Sequence, residues 1–212
     1  MRSTFARARG GRIKVRLGDA DRGVVAGLLE AVAELLDPEV DAAADPDADP
    51  DADRGAGPDA GGRPGPDDAS LWASLEADLA VEPPSDPAVA RLLPDASRDD
   101  PELAQSFRRL TEQDLRERKR DSLGLAAAAL RRSAPVVLDD SEAQALLKGL
   151  TDVRLVLAER LGIATDEDAE FLHAALAAGA SQGGQEWAKA AELYEVVTYL
   201  QEELVHTLLP SG

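Results

Sequence analysis

Residues 135–162 read PVVLDDSEAQALLKGLTDVRLVLAERLG, and this stretch decides the fold. Pro135 to Leu138 make a short apolar run typical of a strand, and either Asp139 or Asp140 can cap a following helix. The helix is predicted to end at Gly162, a residue type that favours helix C-termini. Its apolar residues recur at helical spacing: Leu146, Leu147, Leu150, Val153, Val156, Leu157 and Leu161.

The same order of strand, acidic residue and helix occurs near the start of the chain. Residues 7–17, RARGGRIKVRL, predict a small β-hairpin or a single edge strand around two adjacent glycines. Asp19 is predicted to cap the next helix, which ends at Asp37-Pro38. Aligning Val15–Asp19 with Val136–Asp140 superposes the apolar positions of both helices. This alignment allows the two strands to pair in one small sheet, but two such short units also match by chance, so the strand pairing is not predicted.

Further helices are expected between and after these two units. Their predicted positions are residues 71–79, residues 88–93 ended by Pro94, a longer helix that begins at Asp99-Asp100-Pro101, residues 166–178 and residues 185–209. The longer helix is expected to turn Phe107, Leu110, Leu115, Leu123 and Leu125 inward, with a break at Gly124. In the last helix Trp187, Tyr194, Val197, Leu200, Leu204 and Leu208 share one side.

The sequence therefore predicts a mainly α (α+β) protein, a helical bundle with two or three short strands. Residues 37–69 consist mostly of Asp, Pro, Ala and Gly, which provide no apolar face, so a disordered acidic linker is expected there. Residues 1–36 are assigned to the same main domain as residues 70–212. Aromatic residues make up only 3% of the chain, so Leu, Val and Ala are expected to build the core.

The charge of the chain is strongly asymmetric. The net charge is −18, which opposes non-specific binding to DNA or to an anionic membrane. Residues 1–18 nevertheless hold six basic side chains and no acidic one, whereas residues 37–68 hold eleven acidic and two basic ones. No signal peptide or membrane-spanning run is apparent, so a cytoplasmic location without membrane association is expected. The absence of cysteine excludes disulfides and thiol chemistry.

Two basic clusters are candidates for contact with a protein or with nucleic acid. One lies in the long helix, where acidic neighbours favour a solvated, salt-paired surface as the simpler interpretation. The other lies at the N-terminus, where no acidic residue intervenes and the simpler role is protection of an edge strand. The first cluster is Arg108, Arg109, Arg116, Arg118, Lys119 and Arg120; the second is Arg7, Arg9, Arg12, Lys14 and Arg16.

Signals for catalysis are weak. Two Glu-x-x-His pairs, Glu170 with His173 and Glu203 with His206, have the spacing that di-iron bundles use, but two further helical glutamates would be required. Chance pairs near helix ends explain them more simply. No nucleophile triad, phosphate-binding glycine loop or thiol is present, so no enzyme activity, cofactor or metal is expected.

Several segments resemble an actinobacterial family. They are Arg91–Asp100 (RLLPDASRDD), Phe107–Glu112 (FRRLTE), Leu150–Leu157 (LTDVRLVL), Arg160–Ile163 (RLGI) and Tyr199–Val205 (YLQEELV). By these segments the chain is similar to a former domain-of-unknown-function family that carries the name oxidative stress transcriptional regulator AosR. The similarity spans most of the chain outside the acidic linker.

The resemblance implies a cytoplasmic regulator of the oxidative stress response that contacts a sigma factor or RNA polymerase, encoded near the Clp protease adaptor ClpS. Redox sensing in such regulators is understood to use a cysteine pair, so regulation here would not use a cysteine switch. We expect action by protein–protein contact, with DNA contact secondary. The alternatives are an accessory of Clp-type proteolysis, suggested by the genomic setting, and a di-metal helical bundle enzyme. The oligomeric state is not predicted.

Overall fold

A computed structural model describes residues 4–37, 84–94, 101–177 and 184–209, with the side chains of residues 101–109 excepted. The described part is mostly helical with one small sheet, which confirms the predicted fold class. In chain order the elements are β1 (Phe5–Arg7), a 3-10 turn (Arg9–Gly11), β2 (Ile13–Val15), α1 (Asp19–Leu35), α2 (Pro87–Leu92), α3 (Pro101–Arg131), β3 (Val137–Leu138), α4 (Asp140–Leu161), α5 (Asp166–Ala177) and α6 (Gly184–Leu208).

The sheet has three antiparallel strands in the order β1-β2-β3. The N-terminal run forms the hairpin, and its turn depends on Gly10 and Gly11, whose φ angles of 73° and 77° favour glycine. In the second pairing Ile13 faces Leu138. The two units found in the sequence thus share one sheet, a pairing that the sequence left open.

Helix α1 begins without the predicted side-chain cap. Gly18 is the N-cap residue, and Asp19 lies in the first turn, where its carboxylate pairs with Arg22 at 2.8 Å. The prediction that Asp19 caps this helix is therefore wrong. Its carboxylate is instead held by a guanidinium group one turn further along the helix.

Arg22 is buried and connects three parts of the chain. Its guanidinium group donates hydrogen bonds to the carbonyl oxygens of Leu130 (3.1 Å), Leu17 (3.1 Å) and Arg132 (3.2 Å). Leu130 and Arg132 lie at the C-terminal end of α3, where carbonyl groups lack partners within the helix and the helix dipole favours a cation. Arg22 thus fixes the beginning of α1 to the end of α3.

Helix α3 differs from the sequence expectation in two respects. It continues without a break through Gly124, which is exposed. Leu110 and Leu125, predicted to face inward, are 80% and 41% exposed, whereas Leu123 is fully buried. Residue 125 is rotated by about 200° from residue 123 because an α-helix has 3.6 residues per turn. The apolar stripe of α3 therefore contains Leu123 and excludes Leu125.

Helix α4 packs against α1, α2, α3 and α6. Asp139 rather than Asp140 caps it in a capping box with Glu142, and Gly162 ends it in the left-handed conformation with φ 74°. At the centre of the helix Gly149 is buried against α1 and α3. A Cβ atom added there would lie 2.5 Å from Leu29 Cδ2 and 3.3 Å from Leu123 Cδ2. The spacing of three helices therefore depends on the missing side chain.

Helices α5 and α6 follow the predicted positions closely. Tyr194, Val197, Leu200 and Leu204 are buried on one side of α6, as expected. Leu172 and Tyr194 belong to a smaller apolar cluster near the start of α6, whereas Val197, Leu200 and Leu204 join the main core. Helix α6 also contacts β1.

Several expectations lie outside the described residues. These are the disordered linker at 37–69 apart from its first residue, the helix at 71–79 and the acidic start of α3 at Asp99-Asp100. Pro101 is the first residue of α3, as predicted. The main core contains residues of β1, β2 and α1 together with residues of α2, α3, β3, α4 and α6, while the proposed domain boundaries stay a prediction. No described helix is long and apolar enough to cross a membrane.

The packing at Gly149 predicts that Gly149→Ala destabilises the protein relative to Gly124→Ala. Both substitutions add helix propensity, but the added methyl group meets nothing within 4 Å at residue 124 and overlaps Leu29 at residue 149. We expect the free energies of unfolding of the two variants to differ by about 1–3 kcal/mol, the usual cost of overpacking. Urea denaturation measures both values, and equal stabilities would contradict the close contact.

The contacts of Arg22 predict a large stability loss in Arg22→Met, which keeps an unbranched apolar side chain and removes the guanidinium donors. Three carbonyl groups lose a donor in a buried site, so we expect the free energy of unfolding to fall by about 3 kcal/mol. Arg131→Met is the control, because Arg131 is exposed and pairs with Glu30 at the surface. Similar losses in both variants by urea denaturation would show that Arg22 is not a special anchor.

Candidate functional site

The hairpin exposes four basic side chains, Arg9, Arg12, Lys14 and Arg16, here called the basic strip. The alternation of strand β2 explains this arrangement, because Ile13 and Val15 point into the core and their neighbours point outward. Arg9 lies in the turn of the hairpin. All four side chains are exposed.

The basic strip is not neutralised by the described part of the chain. None of its four side chains has an ion-pair partner among residues 4–37, 84–94, 110–177 and 184–209. Five other exposed arginines do form ion pairs: Arg91 with Glu159, Arg120 with Asp37, Arg131 with Glu30, Arg132 with Glu142 and Arg160 with Asp86. The strip therefore retains its charge in a protein that is otherwise strongly acidic.

Arg7 belongs to the same basic run in sequence but has a different position in the structure. Its guanidinium group donates to the carbonyl oxygens of Leu208 (3.1 Å) and Leu209 (2.6 Å) at the C-terminal end of α6. Nearby, the backbone N–H of Thr4 donates to the carboxylate of Glu203 at 3.3 Å. Arg7 thus caps a helix and holds the hairpin against it.

The basic cluster of α3 is divided among different environments. Arg116 is buried and binds Glu112, with Nε 2.9 Å from the carboxylate oxygen. Arg120 pairs with Asp37 at 3.0 Å across to the end of α1. Arg108 and Arg109 lie in the helix, but their side chains are outside the described set. A partner contact by this cluster stays a prediction. Arg116 does form an ion pair within its helix, but it is buried rather than solvated as the simpler interpretation expected.

A pocket of about 330 Å³ lies between α3 and α4, here called the α3–α4 pocket. Helix α4 contributes Asp152, which is buried and accepts a hydrogen bond from Lys119 at 2.6 Å. Arg118 also lines the pocket and donates through Nε to the backbone oxygen of Asp114. The lining residues are Leu115, Arg118, Lys119, Ser122, Lys148, Thr151 and Asp152.

An acidic cavity of about 610 Å³ involves the opposite side of α3, with α1 as its other wall. Its lining residues are Ala33, Glu34, Asp37, Glu117, Arg120 and Asp121. Residues 118, 119 and 122 of α3 thus face α4, whereas residues 117, 120 and 121 face α1. The helix therefore separates a sequence of mixed charges into a basic side and an acidic side.

The sequence analysis identified Arg118 and Lys119 but missed the α4 residues of the α3–α4 pocket. Thr151 and Lys148 give no signal in sequence, because they are ordinary polar residues of an amphipathic helix. Asp152 does give one, since it follows buried Ala145 and Gly149 at helical spacing on a face that also holds Val156. A carboxylate at such a position requires a partner from another element.

The Glu-x-x-His pairs do not assemble a metal site in the described part. His173 Nδ1 lies 2.8 Å from a carboxylate oxygen of Glu195, and Glu203 accepts the backbone bond from Thr4. No group of three or more His, Asp or Glu side chains that could hold a metal ion occurs among the described residues. The two histidines lie on different helices, α5 and α6.

The resolved pKa shifts belong to surface ion pairing and helix capping. Hydrogen bonds from Arg131 lower the pKa of Glu30, and the same pair raises the pKa of Arg131. The pKa of Asp168 is lowered by the backbone N–H of Ala164 and then by the hydroxyl and N–H groups of Thr165 at the start of α5. These shifts are explained without catalysis.

Comparison with known families places the chain. The family described as Domain of unknown function (DUF2017) matches residues 1–208. The chain belongs to this family. The match confirms that the sequence resembles a domain-of-unknown-function family. It includes the residues of the basic strip and of the α3–α4 pocket. No curated protein and no solved structure matches this DUF2017 chain.

The buried pair in α3 predicts that Arg116→Ala destabilises the DUF2017 domain more than Arg118→Ala. Removal of Arg116 leaves the carboxylate of Glu112 buried without this guanidinium, whereas Arg118 is exposed. We expect Arg116→Ala to lose about 3 kcal/mol, as when one partner of a buried ion pair is removed. Thermal and urea unfolding compare the two variants. Equal stabilities would show that the buried pair of Arg116 and Glu112 contributes no more to stability than an exposed arginine does.

Proposed function

We propose that this chain is a transcription-associated regulatory protein that acts by contact with a protein partner through the basic strip. The observation that carries the proposal is the exposure of four cations on one hairpin, without ion-pair partners in the described residues. A rigid, buried backing supports them, because Ile13 and Val15 are fixed in the core. Such a surface suits an acidic patch on another protein.

A protein is favoured over DNA as the main partner because of charge. From Arg12 to Arg16 the strip extends about 13 Å at 3.3 Å per residue, so it can follow only a short length of a phosphate backbone. The net charge of −18 produces long-range electrostatic repulsion between the protein and DNA, which is strongest at low salt. A local contact with DNA is retained as a secondary role, since a partner can supply the rest of the affinity.

The identity of the partner is proposed from the sequence resemblance. The segments similar to the AosR regulators of oxidative stress favour a sigma factor or RNA polymerase. The chain contains no cysteine, so a response to oxidation would come from the partner or from altered abundance rather than from a thiol in this protein. No observation among the described residues specifically favours the Clp accessory or the di-metal enzyme.

The proposal predicts that Lys14→Glu weakens partner capture while Lys189→Glu does not. Both lysines are exposed and both substitutions change the net charge by the same amount. Lys189 is near the start of α6, roughly 30 Å along that helix from its contact with Arg7. We expect wild type and Lys189→Glu to recover a sigma factor or polymerase subunits from nuclease-treated lysate of the source organism, and Lys14→Glu to recover at least about tenfold less.

The outcome of this pull-down discriminates among the functions. Equal recovery of polymerase by all three proteins would reject the strip as the contact surface. Recovery of Clp components without polymerase would favour the proteolysis accessory. Recovery of polymerase from untreated lysate but not from nuclease-treated lysate would make DNA the primary ligand. Circular dichroism of each variant checks that the fold is retained.

A further inference from the structure

We propose that the α3–α4 pocket binds a small phosphate-bearing anion. Three basic side chains, Arg118, Lys119 and Lys148, converge on a pocket of about 330 Å³, a volume at the lower end of ligand sites. Nothing in the proposed protein contact uses these residues. The pocket is built by α3 and α4, whereas the basic strip lies on the hairpin.

The charge of the pocket matches a phosphate ester. Three cations and the carboxylate of Asp152 leave a net charge of +2 on the lining residues. A phosphate monoester carries about −1.5 to −2 at pH 7, so one such group neutralises the pocket. A chain with a net charge of −18 gives no general reason for a local excess of cations.

Two of the three cations are held by contacts within the protein, and the third is exposed. Lys119 is half-buried and is positioned by Asp152 at 2.6 Å, and an ammonium group has two further donors beyond that bond. Arg118 donates through Nε to the backbone oxygen of Asp114. Its two terminal nitrogens therefore stay available for a bidentate contact with an oxyanion. Lys148 is exposed and has no ion-pair partner among the described residues.

The remaining lining restricts the class of ligand. The Ser122 hydroxyl is a further donor at the pocket. The Thr151 hydroxyl is already engaged, since it donates to Leu147 and accepts from Gln201 at 3.1 Å. Leu115 provides an apolar wall. A phosphate group with a small organic part therefore fits better than a long polyanion.

The acidic cavity on the other side of α3 shows that the excess of positive charge occurs only on the side of this helix segment that faces α4. Four carboxylates and one guanidinium line that cavity, so the same helix segment repels an anion there. Alternation of residues 118 and 119 with residues 117, 120 and 121 places the two environments back to back. An anion bound by this part of α3 is thereby directed to the side facing α4.

Inorganic pyrophosphate is the probe for the test, since it presents phosphate oxygens without an organic part. Isothermal titration calorimetry of the full chain would be done without divalent metal and with NaCl added to hold the ionic strength constant. We expect saturable binding to the wild type and a dissociation constant raised at least about tenfold in Arg118→Gln/Lys148→Gln, because charge-assisted hydrogen bonds are lost. Lys189→Gln, an exposed control, should bind like the wild type.

Asp152→Asn provides an independent measurement with the opposite sign. This variant removes the only carboxylate among the lining residues, so pyrophosphate should bind more tightly even though the free protein is less stable. No binding to the wild type, equal binding by the double variant, or unchanged or weaker binding by folded Asp152→Asn protein would overturn the proposal. Because Lys14 is untouched in all these variants, the result is separable from that of the partner pull-down.

Discussion

The approach of α1 and α3 to the backbone of α4 at Gly149 is the constraint on which the rest of the structure depends. Leu29 and Leu123 occupy the volume that a side chain at this position would fill. Because protein interiors are close-packed, a change in this distance would move the helices that carry both walls of the α3–α4 pocket. Arg22 fixes the same assembly at its other end by binding the carbonyl groups that end α3.

Among the described basic residues of this acidic chain are two groups: those that bind helix ends or a buried carboxylate, and those that line the two basic sites. Arg7 and Arg22 bind carbonyl groups at helix ends, and Arg116 binds a buried carboxylate. The position of these residues beside other cations in the sequence does not reveal these contacts. The basic strip and the cations of the α3–α4 pocket remain directed outward. The protein thus has two separate candidate sites for anionic groups, one on the exposed hairpin and one in an open pocket between two helices.

Local signals predicted most of the fold, whereas the candidate sites were predicted only in part. The alternation around Ile13, the glycines of the hairpin and an acidic cap at Asp139 or Asp140 act over a few residues, so the sequence predicts them. Asp19 was misassigned because it already lies in the first turn of α1, so that Gly18 occupies the N-cap position. Asp152 was missed as a pocket residue because its partner, Lys119, comes from another helix.

By itself, the sequence determined the helical class, the two strand–helix units, the family and the outward charge of β2, because periodicity and turn chemistry are local properties. Only the tertiary structure decided which cations are neutralised and which face a pocket, because ion pairing depends on the rotation and neighbours of each helix. Leu125 and Leu123 show the same limit in the core. They are two residues apart and equally apolar, yet the packing of α3 exposes one and buries the other.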